Sequence, residues 1–131
     1  MKAFAETAVT NRQSRARLYF GEPRNIADLS RAAGRDLMGW RRRLGADEAR
    51  KIIRDHGADA LPIRPSSFRH LRAILDTPDA LRVGEKVTKH RKLPVLISTK
   101  RIGGLTYEAV EEMQSGRRSL AVLTFYIVGR G

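Results

Sequence analysis

The chain contains no cysteine, which excludes disulfides, thiolate metal sites and a thiol nucleophile. Imidazoles are scarce: His56, His70 and His90 are all there are, and no two stand four residues apart. Without that spacing, paired ligands do not share a helix face, so neither a metal nor any other cofactor is expected. There is no stretch of about 18 apolar residues able to span a bilayer, and the N-terminus lacks the apolar core of a signal peptide. No membrane partner is expected. Negative charge is also short, since 14 Asp and Glu face 26 Lys and Arg, with no segregated acidic tail.

What remains is a strongly basic chain of 131 residues with formal net charge +12. That length suits one modest hydrophobic core, so residues 1–131 are read as a single domain, with 1–16 either a flexible arm or a short helix. The charge makes a field that attracts polyanions, nucleic acid foremost. An anionic surface or an acidic inhibitor protein would feel the same field. Arginine dominates the excess, which suits bidentate phosphate contacts.

Arg17-Leu18-Tyr19-Phe20 reads as a short strand closed by Gly21-Glu22-Pro23. Asn25 is placed to cap a helix with Ile26, Leu29, Ala32 and Ala33 on one face, ended by Gly34. A short segment with Leu37, Met38 and Trp40 precedes Arg41-Arg42-Arg43. From Asp47 the spacing of Ala49, Ile52 and Ile53 predicts a helix stopped by Gly57. His56 falls in its last turn, where the carbonyl ends favour an imidazolium. Pro62 and Pro65 mark a linker before a helix carrying Phe68, Leu71, Ile74 and Leu75, and Arg82 to Lys92 reads as a basic loop or irregular strand.

The last forty or so residues change character. Pro94 to Arg101, Leu105 to Met113 and Ser119 to Val128 are rich in Val, Ile, Leu, Thr and Tyr and are separated by turn signals. They predict three antiparallel strands in a meander. The fold class is therefore α+β, with N-terminal helices packed on a C-terminal twisted antiparallel sheet of three or more strands.

The series His56-Gly57, Leu61-Pro62-Ile63, Ser67-Phe68 and Ile74-Leu75-Asp76-Thr77-Pro78-Asp79 resembles the middle of phage-associated nuclease domains of the Barnase/EndoU/colicin/RelE-like (BECR) superfamily. These domains are often fused to phage head-morphogenesis proteins or polymorphic toxins. The ending is similar too: Tyr107 to Glu112, Ser115 to Leu120 and Leu123 to Tyr126 match a closing hairpin with a Glu-bearing strand, a Gly-Arg turn and a Thr-bearing strand. The likeness runs from about Arg17 to Tyr126. It implies helices packed on a twisted antiparallel sheet with RNA across one sheet face, and a toxin-type ribonuclease acting in the cytoplasm, delivered there in some systems. Where the family carries further His residues near the second helix, Arg42 and Lys51 stand here.

RNA cleavage without metal needs a base for the 2′-hydroxyl, an acid for the leaving 5′-oxygen, and cationic groups around the phosphorane. His56 is the first choice for acid or base. Counting strand phase from Val110 as a core residue turns Glu111 toward the RNA face and Glu112 toward the core, unless a bulge intervenes; Glu111 is preferred and Glu112 kept. Arg117 and Arg118, beside the turn, can reach back to a phosphate. Thr124 could hold a phosphate oxygen, and Tyr126 on the same face could stack on a base. The expected catalytic set is His56, Glu111, Arg117 and Thr124, with Lys51, Arg118, Tyr126, Arg42 and Lys100 binding substrate. Each residue also has a plain structural explanation as a helix-end, turn or strand residue. The expected partners are RNA, tRNA included, and an acidic immunity or inhibitor protein. The alternatives are a non-catalytic nucleic-acid-binding or protein-interaction module and, more remotely, a DNA-binding helix-turn-helix.

Overall fold

The computed structural model describes residues 1–131. Helix α1 (Lys2–Thr10) is followed by strand β1 (Arg17–Gly21), helix α2 (Ile26–Ala33), strand β2 (Arg41–Gly45) and helix α3 (Ala46–His56). A 3-10 turn (Pro65–His70) leads into the short helix α4 (Leu71–Asp76) and strand β3 (Ala80–Val83). The chain ends in the meander β4 (Val95–Ile102), β5 (Leu105–Gln114) and β6 (Ser119–Arg130), with one more 3-10 turn (Ser115–Arg117) between the last two. The α+β class holds, with the helices confined to the first 76 residues.

All six strands form one sheet in the order β1-β2-β6-β5-β4-β3. The sheet is mixed, because β2 runs parallel to β6 while the other neighbours are antiparallel. The expected three-stranded meander is therefore its centre, and the N-terminal half adds β1 and β2 to one side. Arg41-Arg42-Arg43 belongs to this sheet. Strand alternation leaves Arg41 exposed, sends Arg42 with Leu44 to one face and turns Arg43 to the other.

One sheet face is covered by helices. Ala5 and Ala8 of α1, Ala49 and Ile52 of α3, Phe68 and Leu71 pack with Tyr107, Ala109, Val122 and Phe125. The Phe68 and Phe125 rings meet edge to face at 4.9 Å, a geometry their quadrupoles favour. A smaller cluster under α2 joins Leu29, Leu37 and Trp40 to Leu96, Met113 and Leu120. The N-terminal segment is a docked helix rather than a loose arm. Arg50 fixes it by donating from Nη1 to the Ala8 and Asn11 carbonyls, at 3.2 and 3.1 Å, and from Nη2 to that of Ser14 at 2.9 Å. Those carbonyls include helix-end acceptors that have no partner within the helix.

Between the two clusters lies a buried ion network. Arg42 is fully buried; its Nε and Nη2 grip the two oxygens of Glu111 at 2.5 and 3.1 Å, and Nη1 donates to Asp76 at 2.8 Å. Glu111 is likewise fully buried. Both residues were expected at the RNA face, and both are corrected to the helix-covered side. β5 places Tyr107, Ala109, Glu111 and Met113 on that side, so Val110 faces away and the phase expected for the two glutamates is inverted.

Candidate nucleic-acid interface

The opposite sheet face has no helix over it. One cross-strand row runs Tyr19, Arg43, Ala121, Glu112, Val95 through direct pairings from β1 to β4. A groove of about 670 Å³ opens over this end of the sheet. Arg43, Glu112, Gln114 and Leu123 line its sheet side; Glu48 and Lys51 of α3, the 88–91 segment, Arg17 and Arg117 form its walls. The basic 88–91 segment is held as a turn by Thr88, whose amide donates to the Leu93 carbonyl at 2.9 Å and whose hydroxyl accepts from the Leu93 amide at 3.1 Å.

A relay of side chains crosses the floor. Arg43 Nη2 donates to Gln114 Oε1 at 2.5 Å, and Gln114 Nε2 donates to Glu112 Oε1 at 2.7 Å. Arg91 stands 3.9 Å from the same carboxylate oxygen. Glu112 thus faces the groove with its orientation fixed and takes the place expected of Glu111. Burial, then the neighbouring Arg17 and Arg117, hold the Arg43 guanidinium below its ordinary value, against the pull of Glu48. Arg17 and Arg117 each oppose the Arg43 charge, an opposition that an anion bound among them would relieve.

Further along the same face, Tyr126 pairs across to Glu108 and its hydroxyl donates to Glu108 Oε1 at 2.6 Å. His56 stacks on the Tyr126 ring, centroids 5.1 Å apart and planes 26° from parallel. His56 Nδ1 lies 2.8 Å from Asp59 Oδ2. Asp59 therefore fixes the ring through Nδ1 and leaves Nε2 as the nitrogen available to a substrate. Thr124 pairs with Val110, midway between the Glu108 and Glu112 positions. At strand rise those positions are about 13 Å apart, so Thr124 stands about 7 Å from each along the sheet.

Comparison with protein-family models, curated proteins and solved structures found no match to this chain.

Of the residues expected at the site, the open face gathers His56, Thr124 and Tyr126 at one end and Lys51 and Arg117 at the other. Arg118 is committed elsewhere: its Nη2 donates to the Met38 carbonyl at 2.9 Å, and its guanidinium lies against Gly39, where a Cβ would meet Nη2 at 3.0 Å. With Gly39 at φ +83°, that position favours glycine for its backbone. Lys100 shares the side of Tyr107, its cross-strand partner, and donates to the Thr77 carbonyl at 2.5 Å. Arg42 and Glu111 are in the buried network. The expected surface residue His70 is half-buried with its ring 5.5 Å from that of Tyr107, and burial, then Arg69, hold its basicity below ordinary. Sequence reasoning misses Gln114 and Tyr19, and reads Arg43 together with Arg41 and Arg42 as non-specific phosphate contacts or solvated charge. The signal for Tyr19, and for which of the three arginines faces the groove, is alternation within two short strands, legible once Arg17–Phe20 and Arg41–Arg43 are paired.

Burial, then the hydrogen bond to Glu108, pushes the Tyr126 hydroxyl up to about 12. Its folded value lies above the ordinary tyrosine value of about 10, so its contribution to stability is complete below pH ~10 and is lost as pH rises through about 12. Glu108→Gln is expected to lower this ionisation toward the ordinary range, read as phenolate absorbance in an alkaline titration. An unmoved titration would assign the elevation to burial alone.

Proposed function

We propose that the protein binds RNA across the open sheet face and cleaves it without a metal, in the manner of the BECR nucleases that its sequence resembles. The observation that carries this reading is one sheet face bringing together a guanidinium cluster (Arg17, Arg43, Arg117), a buried, oriented carboxylate (Glu112) at the groove floor and an oriented imidazole (His56). The cationic groups supply phosphate affinity without base specificity.

In the proposed reaction a scissile phosphate lies over Thr124, between Glu112 and His56. Glu112 accepts the 2′-hydroxyl proton as the 2′-oxygen attacks phosphorus, and the bond from phosphorus to the 5′-oxygen breaks. Protonated His56 delivers its proton from Nε2 to that leaving oxygen. The products are a 2′,3′-cyclic phosphate and a 5′-hydroxyl; the bound groups return to their starting states when His56 regains a proton and Glu112 loses one. Arg43, Arg117 and Lys51, toward the other end of the groove, hold neighbouring phosphates of the strand. An acidic immunity or inhibitor protein would be attracted to the same face and block it.

Purified protein incubated with total RNA in EDTA at low salt is expected to give discrete fragments whose 3′ ends are cyclic phosphates. Intact RNA from folded protein that still binds it would reject catalysis and leave a nucleic-acid-binding module.

A further inference from the structure

Tyr19 is the most exposed aromatic side chain of the protein at 57%. It stands on the sheet's edge strand, where Leu18 and Phe20 are half-buried while Arg17 and Tyr19 turn outward. Its direct cross-strand partner is Arg43, which places the ring on the open face at the head of the row that continues through Ala121 to Glu112. Arg17 lies two residues before it in the strand, and Arg17, Arg117 and Tyr19 all act on the Arg43 guanidinium. Ala121, between Arg43 and Glu112, is buried, and the Arg43–Gln114–Glu112 hydrogen bonds link the residues on either side of it. Tyr19 is three strand spacings, about 14 Å, from Glu112.

No core packing accounts for an exposed tyrosine beside arginines at the edge of this sheet face. The arrangement does fit a nucleic-acid strand whose base is free to stack: the ring offers a π-face, and the guanidinium groups beside it hold the flanking phosphates. A base inside a duplex has both faces occupied and cannot use such a platform.

We propose that Tyr19 is a nucleobase-stacking subsite that makes single-stranded RNA the substrate class of this face. The proposal deepens the RNA reading and rests on it. In the extended chain, a base stacks on Tyr19 while the phosphate beside it engages Arg17, Arg43 and Arg117, and the strand continues along the row toward Glu112 and Thr124.

The test is binding of a fluorescein-labelled single-stranded RNA octamer and of a blunt RNA duplex of the same sequence, followed by anisotropy, for the wild-type protein, Tyr19→Phe and Tyr19→Ala. Single-strand affinity is expected to fall about 5- to 100-fold in Tyr19→Ala and to change less than about threefold in Tyr19→Phe, because the ring and not the hydroxyl does the stacking. Duplex affinity should be equal in all three proteins. A 4-thiouridine octamer irradiated on the wild-type protein should cross-link to the peptide containing Tyr19. Wild-type binding with an unaffected Tyr19→Ala would overturn the subsite and leave the RNA reading standing. An equal loss on single strand and duplex would also overturn it, since that pattern marks a backbone contact. No binding by the wild-type protein to either RNA would remove both.

Discussion

Arg42→Ala is expected to destabilise the fold by about 3–5 kcal/mol, because it leaves a carboxylate buried without its counter-ion. The lost partner is fully buried Glu111, both of whose oxygens accept from Arg42; Asp76, with its side chain 12% exposed, loses its contact as well. A loss of that size is a large part of the stability of an ordinary domain, so the variant should show a much lower urea midpoint, with a proportion unfolded at 37 °C. The pair itself is not a strong net stabiliser, since removing two charges from water offsets much of their attraction. Arg42→Met combined with Glu111→Leu should therefore recover most of the loss, and the double-mutant cycle should show coupling well above 1 kcal/mol. RNA affinity of the folded fraction should be unchanged, because Arg42 faces the helices. A single variant that melts like wild type, or one that loses RNA affinity while retaining stability, would contradict the assignment of Arg42 to the core.

This network also shows where the sequence stops being legible. The helices were readable because apolar spacing is local: Ala49 and Ile52, or Leu71, Ile74 and Leu75, declare a buried stripe within a turn or two. The closing meander was readable for the same reason. An arginine, by contrast, looks the same whether solvated or buried, and what distinguishes Arg42 is two partners, 34 and 69 residues away. The glutamate phase failed through Val110. A strand count normally sends the bulkier apolar residue inward, but the helix-covered side takes Ala109 in the main cluster and Val110 faces the open side. A buried Glu111 contradicts any hydrophobic pattern and is tolerated only because Arg42 neutralises it. The parallel pairing of β2 with β6 was hidden similarly, since it joins residues about 78 apart, Arg41 with Ser119. At the candidate site, the sequence offered His56, Thr124, Tyr126 and Arg117 from local position and Lys51 through the resemblance. Asp59 as the partner of His56, and Gln114 as the link between Arg43 and Glu112, required the folded chain.

His56→Ala is expected to lower the single-turnover rate of RNA cleavage by about 10²- to 10⁴-fold, the contribution typical of a positioned acid or base, with RNA affinity changed by no more than a few fold. Folding should survive, since His56 ends its helix and is partly exposed. Glu112→Gln should produce a rate loss of the same order; it keeps the shape that meets Gln114 but removes the proton acceptor. Asp59→Asn keeps a hydrogen-bonding group beside His56 Nδ1 and should lower the rate less than His56→Ala, with little change in KM. Thr124→Ala should also reduce the rate, as it removes a hydroxyl placed to hold a phosphate oxygen. Cleavage within about threefold of wild type in both His56→Ala and Thr124→Ala would place the chemistry elsewhere on the groove.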